Sequence, residues 1–511
     1  MTEKREVALP KMASFLLLAA IFIAAGCAIV YELLIGSTSS YFLGDSVEQF
    51  SLTIGFFLFA MGVGSWISRL IQEDLLARFI ALEIWLGLIG GSSVPALYIF
   101  YAYTDSYRYC MLVLILLIGT LIGLEVPLLT RVLRSYGSLR TILSDVLSLD
   151  YLGSLVAALL FPFVFMPVLG AMHTSLLSGL VNVAVAIAML WVFRAVLPPR
   201  ARRLLSVQSF LISLFLIGLL LKSQPLLERW ENALYSDRIV FSEQSAYQEI
   251  VLTKWRENLR LFLNGHLQFA SVDEHRYHEA LVHPAMELAT SHQRVLIIGG
   301  GDGLTAREVL KYPAVERIDL VDLDPVMTNL ARRNIYLTQL NDNALSARKV
   351  NIANEDGFIF LQREHVPYGV ILVDLPDPRE ESLAKLYSVE AYELCRRHLS
   401  PGGVLATQAT SPYFARRSYW SIGTTLEEAG FNIWSYHVQV PSFGEWGFHL
   451  ASEKTLDLEN VAFKAPRRFL QEDLFGAMFL FDPDMDRVAV DANRLDKPVL
   501  ARYYREEWSR W

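Results

Sequence analysis

At 511 residues the chain is long enough for two or three domains. Its composition is 53% hydrophobic, too apolar for an ordinary soluble enzyme, and its formal net charge of −8 argues against nucleic acid as a partner. Three cysteines, Cys27, Cys110 and Cys395, lack paired spacing, so neither a disulfide framework nor a zinc site is signalled.

Apolar runs of about 18–25 residues, each enough to cross a bilayer core, fill the N-terminal half. Seven are expected, near 13–35, 50–71, 79–101, 109–130, 149–170, 174–193 and 204–221. Gly87 and Gly91, and Gly119 and Gly123, have the spacing that lets membrane helices approach closely. Glu32, Glu83, Glu125 and Asp150 fall within or beside these runs. A charge at mid-bilayer costs at least ~2.5 kcal/mol, so such acids sit at an interface, pair with an arginine, or line a polar cavity for a cation. Lys4, Arg5 and Lys11, then Arg69 and Arg78, then Arg131, Arg134 and Arg140, then Arg194, Arg200, Arg202 and Arg203 give an alternating loop charge. The positive-inside rule places the N-terminus in the cytoplasm, and seven spans then place the C-terminal half outside.

After Lys222 charge becomes frequent and the apolar runs shorten to strand length. Residues 239–270 alternate, and Asn264-Gly265 between apolar runs signals a hairpin. From Arg294 onward strands and helices alternate, which implies a mostly parallel sheet covered by helices. Strands are expected at 294–298, 317–322, 347–351, 369–374, 402–408, 432–440 and 446–451. Helices are expected at 303–311, 325–334, 355–363, 388–398 and 415–429. The predicted fold class is thus an all-α multi-span membrane domain of about seven transmembrane helices. It is followed by an α/β Rossmann-like, methyltransferase-type domain preceded by a small β-unit. The expected divisions are 1–222 for the membrane domain, 223–293 for a linker and the β-unit, 294–455 for the Rossmann-like domain, and 456–511 for an extension packing on it.

The stretch from Val295 to Gly303 is a strand entering a helix through glycines, a turn that brings backbone close to a nucleotide. Asp302 within it would repel phosphate, so the expected ligand is cationic or hydroxyl-bearing. Ligands of such sheets bind beyond the carboxyl ends of the strands, and those ends carry acids here. Asp302 follows the first strand, Asp322 and Asp324 the second, Glu355 and Asp356 the third, and Asp374 and Asp377 the fourth. Asp322, about twenty residues past the glycines, stands where a ribose-binding carboxylate is usual. Carboxylates without a basic cluster suit a polycationic amine, which they hold by charge-assisted hydrogen bonds and from which one can remove a proton.

At these residues the sequence resembles the spermidine synthase (polyamine aminopropyltransferase) family. The resemblance rests on Tyr247-Gln248, the run Leu261 to Gln268, the box Asp273 to Glu279, the turn Gly299 to Gly303, the loop Asp374 to Pro378, Gln408, and Ser411-Pro412. The apolar half and the tail Asn493 to Trp511 resemble the bacterial membrane-bound branch. The chain departs from the usual pattern in having Asn264 before Gly265, Leu304 where a glycine is common, and Asp322 where Glu is usual.

The resemblance implies transfer of the aminopropyl group from decarboxylated S-adenosylmethionine to a diamine such as putrescine, giving spermidine and 5′-methylthioadenosine. It implies Asp374 as general base. Gln248, Asp322, Asp356, Gly357, Gly299 and Gly301 would hold the donor, and His278, Asp302, Asp377, Tyr277 and Gln268 the acceptor. Neither a metal nor a cofactor beyond the co-substrate is implied. The implied setting is a bacterial inner membrane, with the lipid bilayer and a second copy in a dimer as partners. The cytoplasmic origin of the donor favours a cytoplasmic catalytic domain, against the charge pattern. Two other readings stay open: an S-adenosylmethionine-dependent methyl- or alkyltransferase, and a polyamine transporter or sensor with a coupled soluble domain.

Overall fold

The computed structural model describes residues 11–43, 46–104, 106–134, 139–235, 237–459, 461–508 and 510. Lys4 and Arg5 lie outside them. The chain divides into two compact units, Met1–Ser236 and Asp237–Trp511.

The first unit is helical: α1 (Lys11–Leu43), α2 (Ser46–Ile67), α3 (Leu75–Gly91), α4 (Ser93–Tyr103), α5 (Tyr107–Leu133), α6 (Leu139–Leu160), a π-helical stretch (Phe161–Leu169), α7 (Gly170–Val192), α8 (Pro199–Leu221) and α9 (Ser223–Leu234). Trp230 of α9 is buried in this unit's core, so the start of the expected linker packs with the helices. By length and composition, six described helices are apolar and long enough to cross a membrane. One of them, Arg140–Val192, has 53 residues and joins the fifth and sixth expected runs. At 1.5 Å per residue it would extend ~80 Å if straight, over twice a bilayer core of ~30 Å.

It is not straight. Gly170 has φ +71° and ψ 171°, which breaks the helical path. On one side α6 runs parallel to α1, with Gly153 against Phe22 and Gly26 against Ala157. α3 is also parallel to α1, since Phe79 shares a cleft with Ile21 and Ala24 and Gly90 abuts Tyr31. On the other side α7 runs antiparallel to α3, with Glu83 bonded to Asn182 and Ser175 bonded to the Gly91 carbonyl. The chain therefore folds back at Gly170.

The paired glycines are contact points. A Cβ on Gly87 would meet the Gly179 carbonyl at 2.6 Å, and one on Gly123 the Met61 carbonyl at 2.1 Å. The expected pairing of membrane-run acids with arginine is not observed. Among the described residues Glu83, Glu125 and Asp150 form no ion pair, and Arg131 instead donates to the carbonyls of Ser68 and Ile71.

The second unit begins with an antiparallel sheet of β1 (Arg238–Gln244), β2 (Glu249–Trp255), β3 (Asn258–Leu263) and β4 (His266–Ala270), in that order. Asn264 and Gly265, both at positive φ, make the tight turn between β3 and β4. Helix α10 (Glu274–Leu288) follows, and the Rossmann-like sheet comes next.

Its strands are β5 (Arg294–Gly299), β6 (Arg317–Val321), β7 (Val350–Ala353), β8 (Tyr368–Asp374), β9 (Leu399–Gln408), β10 (Asn432–Val440) and β11 (Gly444–Ser452). The order is β10-β11-β9-β8-β5-β6-β7, parallel from β7 through β9, with β11 antiparallel to both neighbours. Its helices are α11 (Leu304–Leu310), α12 (Pro325–Arg333), α13 (Ile335–Leu340), α14 (Gly357–Leu361), α15 (Glu381–Ala384), α16 (Val389–His398) and α17 (Arg416–Glu428). β5 and β8 are apolar along their middles because helices cover both faces: Leu296, Ile298 and Ile371 fill one core, Ile297 and Leu372 the other.

The tail adds α18 (Glu472–Ala477) and α19 (Leu500–Trp508). It is fastened by buried polar groups. Glu279 of α10 accepts backbone N–H bonds from Arg468, Phe469 and Leu470 at 2.5–2.9 Å. Asn493 donates to the carbonyls of Ala384 and Tyr387.

Candidate active site

Four strands end at one edge, and the glycine turn knits three of the ends together. Gly299, Gly300 and Gly303 all have positive φ, a conformation that suits residues without a Cβ. In the parallel register Gly299 faces Asp374, so close that an added Cβ would stand 2.0 Å from the Asp374 carbonyl oxygen. The Gly300 N–H donates to that same oxygen at 2.9 Å. Gly301 is pressed against Asp322, where a Cβ would meet Oδ2 at 2.4 Å.

On the β6 side, Asp322 accepts from the Asp324 N–H at 2.8 Å, and burial raises its carboxyl to about 6. Asp324 caps α12 with one oxygen. Its other oxygen accepts from Ser245 Oγ at 2.7 Å and Gln248 Nε2 at 3.0 Å. Gln248 is thereby drawn from the small sheet to the end of β6. Asp356 caps α14 through the Phe358 N–H and pairs with Lys385. Burial pushes its carboxyl up, but Lys385 and the capping N–H groups outweigh that and hold it below its usual range. Gly357 lies against Ile298, with room for no more than a 3.0 Å approach.

Asp374 at the end of β8 is fixed at both oxygens. Tyr277 donates to Oδ1 at 2.8 Å and Thr305 to Oδ2 at 2.5 Å. Asp302 accepts from the Leu304 N–H at 2.9 Å. Burial raises its carboxyl to about 6, His278 opposing and Asp374 adding to the shift. Asp377 is buried, and Tyr504 donates to its Oδ2 at 2.7 Å while Oδ1 has no hydrogen-bond partner among the described residues. Burial again raises its carboxyl, and Arg379 and Tyr504 pull the other way. The loop carrying Asp377 is braced by Gln408, which donates to the Leu375 carbonyl at 2.8 Å and to the Tyr387 hydroxyl at 2.5 Å.

His278 is buried beside these acids. Its Nδ1 lies 2.8 Å from Glu274 Oε2, and Glu274 is gripped by both terminal nitrogens of Arg307 at 2.9 Å. Burial alone would lower the imidazole, yet Glu274, Asp302 and Asp374 together raise it to about 9. The protonated ring offers only N–H groups and balances the charge of Asp302 and Asp374. Gln268 is not joined to the acids by any hydrogen bond among the described residues; its amide donates to the His266 carbonyl.

The cluster is thus acid-rich, partly dry and divided by the glycine turn into an Asp322 side and an Asp302–Asp374–Asp377 side. Residues 274–465 match the spermine/spermidine synthase domain. A polyamine aminopropyltransferase of Ralstonia nicotianae is 46% identical over 96% of this chain and 98% of its own. One from Leptospira interrogans is 43% identical over 96% and 98%. The chain belongs to the polyamine aminopropyltransferase family. Among solved structures, a spermidine synthase in complex with the transition state analogue AdoDATO aligns with 54% of this chain and 89% of that one, at 24% identity and a TM-score of 0.45.

Within this family member the sequence reading missed several residues that shape the site. Thr305 on the Asp374 carboxylate is a polar residue in the first turn of α11, and no spacing rule marks it. Asp324 reads as a helix cap and is one, but it also captures Gln248. Lys385, Arg379 and Tyr387 come from loops and short helices whose path the strand pattern leaves open. Among the described residues no group of three His, Cys, Asp or Glu side chains is arranged to hold a metal ion.

Proposed function

We propose that the protein transfers the aminopropyl group of decarboxylated S-adenosylmethionine to a diamine such as putrescine. The single observation that carries this is Asp374, held at both oxygens between Asp302 and Asp377 and separated by one glycine turn from Asp322. In this reading the diamine's far ammonium meets the unpartnered Oδ1 of Asp377. Its near nitrogen gives a proton to Asp374, and the freed lone pair attacks the methylene next to the sulfonium. The C–N bond forms as the C–S bond breaks, and the electron pair leaves with sulfur as 5′-methylthioadenosine. The donor is already activated, so Tyr277 and Thr305 contribute by fixing the base and the turn by fixing the donor.

Asp302 favours the decarboxylated donor over intact S-adenosylmethionine, whose carboxylate it would repel; that separates this reading from a methyltransferase. The assay is product analysis with each donor and a panel of amines. Asp374→Asn should abolish transfer and leave donor affinity within threefold. Wild-type turnover in that variant would falsify the assignment of the base.

The helical unit is proposed to anchor the enzyme in a bacterial inner membrane, supported by its apolar runs and the reversal at Gly170. We place the catalytic unit in the cytoplasm, where its donor is made. The arginine-rich loops then lie outside, against the usual bias. A reporter fused after Trp511 tests the side: activity of a periplasm-dependent reporter would overturn it. A homodimer is proposed as well, to be tested by the mass of the detergent-solubilised protein.

A further inference from the structure

The helical unit contains a second group of acids that the transfer chemistry does not use. Glu125 of α5 and Asp150 of α6 line a cleft whose walls are Ile21, Ala24, Phe79 and Leu129. Glu125 is only 6% exposed and, among the described residues, its Oε1 has no hydrogen-bond partner. Glu125 interacts electrostatically with both Asp150 and Glu83 of α3. Glu83 is fully buried, and its Oε1 is likewise without a partner.

The orientation of Glu83 is set by a directed chain. The Tyr31 hydroxyl donates to Asn182 Oδ1 at 2.8 Å, which commits the Asn182 amide to donate to Glu83 Oε2 at 2.7 Å. That leaves Oε1 as an acceptor facing no donor. Two such oxygens in a unit of low polarity are costly while ionised, a cost met either by taking up a proton or by a cation with hydrogen-bond donors.

We propose that Glu83, Glu125 and Asp150 form a binding site for the ammonium end of an aliphatic polyamine. An ammonium brings three N–H donors on one atom, which suits Glu125 and Asp150 in the cleft, with Glu83 near enough to Glu125 to add its charge. Its alkyl stem matches the Ile21, Ala24, Phe79 and Leu129 walls, which a hydrated metal ion would not. The choice of a polyamine rests on the aminopropyltransferase reading, whose product is such a cation.

The test is equilibrium binding of radiolabelled spermidine to the full chain in lipid nanodiscs, with aminopropyl transfer measured on the same samples. Wild type is expected to bind two equivalents, and Glu83→Gln and Glu125→Gln one, with transfer rates at saturating diamine within twofold of wild type. Two equivalents retained by both variants, or a single equivalent in wild type that both variants keep, would overturn the site. Displacement of the second equivalent by sodium as readily as by putrescine would overturn the ammonium assignment. If wild type shows no transfer yet Glu125-dependent binding persists, the transferase reading falls and the site stands. Should Glu125→Gln fail to fold, Asp150→Asn at the half-buried rim is expected to weaken the second equivalent at least tenfold, and an unchanged affinity counts against the site.

Discussion

Replacing Tyr504 with phenylalanine removes one hydroxyl and keeps the ring that packs beneath Arg379. The lost bond is the 2.7 Å contact to Asp377 Oδ2. Asp377 is buried and, among the described residues, its other oxygen has no hydrogen-bond partner within ordinary geometry, so its remaining support is Arg379 at 3.9 Å with Thr410 and Gln408 nearby. A hydrogen bond to a charged group contributes about 1.5–3 kcal/mol. At about 1.4 kcal/mol per tenfold this amounts to a loss of roughly 10- to 150-fold in kcat/KM for the diamine. The loss is expected to fall on KM if, as proposed, Asp377 holds the end of the amine that does not react. The direction with pH also follows. Tyr504 lowers the Asp377 pKa, so its removal raises it, and the acid limb of the variant's profile moves to higher pH. Steady-state kinetics at several pH values, with donor affinity from calorimetry, provide the check. A diamine KM unchanged from wild type, or a loss confined to donor affinity, would refute Asp377 as the amine anchor.

Other outcomes follow from the same geometry. Asp302 and Asp322 are both raised to about 6, so kcat/KM should fall as pH drops through about 6 and these carboxylates take up protons. Asn at either position should flatten that limb while lowering the plateau. Gly301→Ala sets a Cβ 2.4 Å from Asp322 Oδ2 and should raise the donor KM at least tenfold with a smaller effect on the diamine KM. Glu274→Gln breaks a buried network with His278 and Arg307, at a cost of about 3–5 kcal/mol read as a lowered denaturant midpoint. His278 is raised to about 9, above its unfolded value near 6.5. The stability it contributes is therefore full below about 6.5 and lost as pH rises through about 9, and Glu274→Gln should reduce that loss, with Asp302 and Asp374 sustaining the rest.

The strands of the Rossmann-like sheet were legible because each is a short apolar run bounded by turn residues. β8, expected at 369–374, is found at Tyr368–Asp374, and β10 at the expected 432–440. The acids at the strand ends were legible because topology alone places strand ends together. What the sequence concealed is which partner each acid has. Tyr504 lies 127 residues after Asp377 and reaches it only because Asn493 and Glu507 dock the tail. The charge of His278 depends on Glu274 one helical turn earlier and on being sealed from water, and a motif reports neither. α10 and the tail helices were not expected as elements, because their apolar residues share the helix with buried charges such as Glu274, Glu279 and Glu507 that obscure the periodicity. In the apolar half the reversal at Gly170 falls at the boundary expected between the runs 149–170 and 174–193, although helical conformation continues on both sides of it.

Within the seven residues Asp273–Glu279, at the start of α10, four side chains touch four distant parts of the chain. Asp273, its cap position, holds Ser442; Glu274 holds Arg307; Tyr277 holds Asp374; and Glu279 holds 468–470. Less than two turns of helix thus act as a common ruler for the β10–β11 loop, the helix after the glycine turn, the base and the tail. A ruler cannot move at one mark alone. A small molecule wedged between residues 468–470 and Glu279 would shift Tyr277 away from Asp374 and disarm the enzyme without entering the amine or adenosyl pocket. It would therefore be noncompetitive with both substrates.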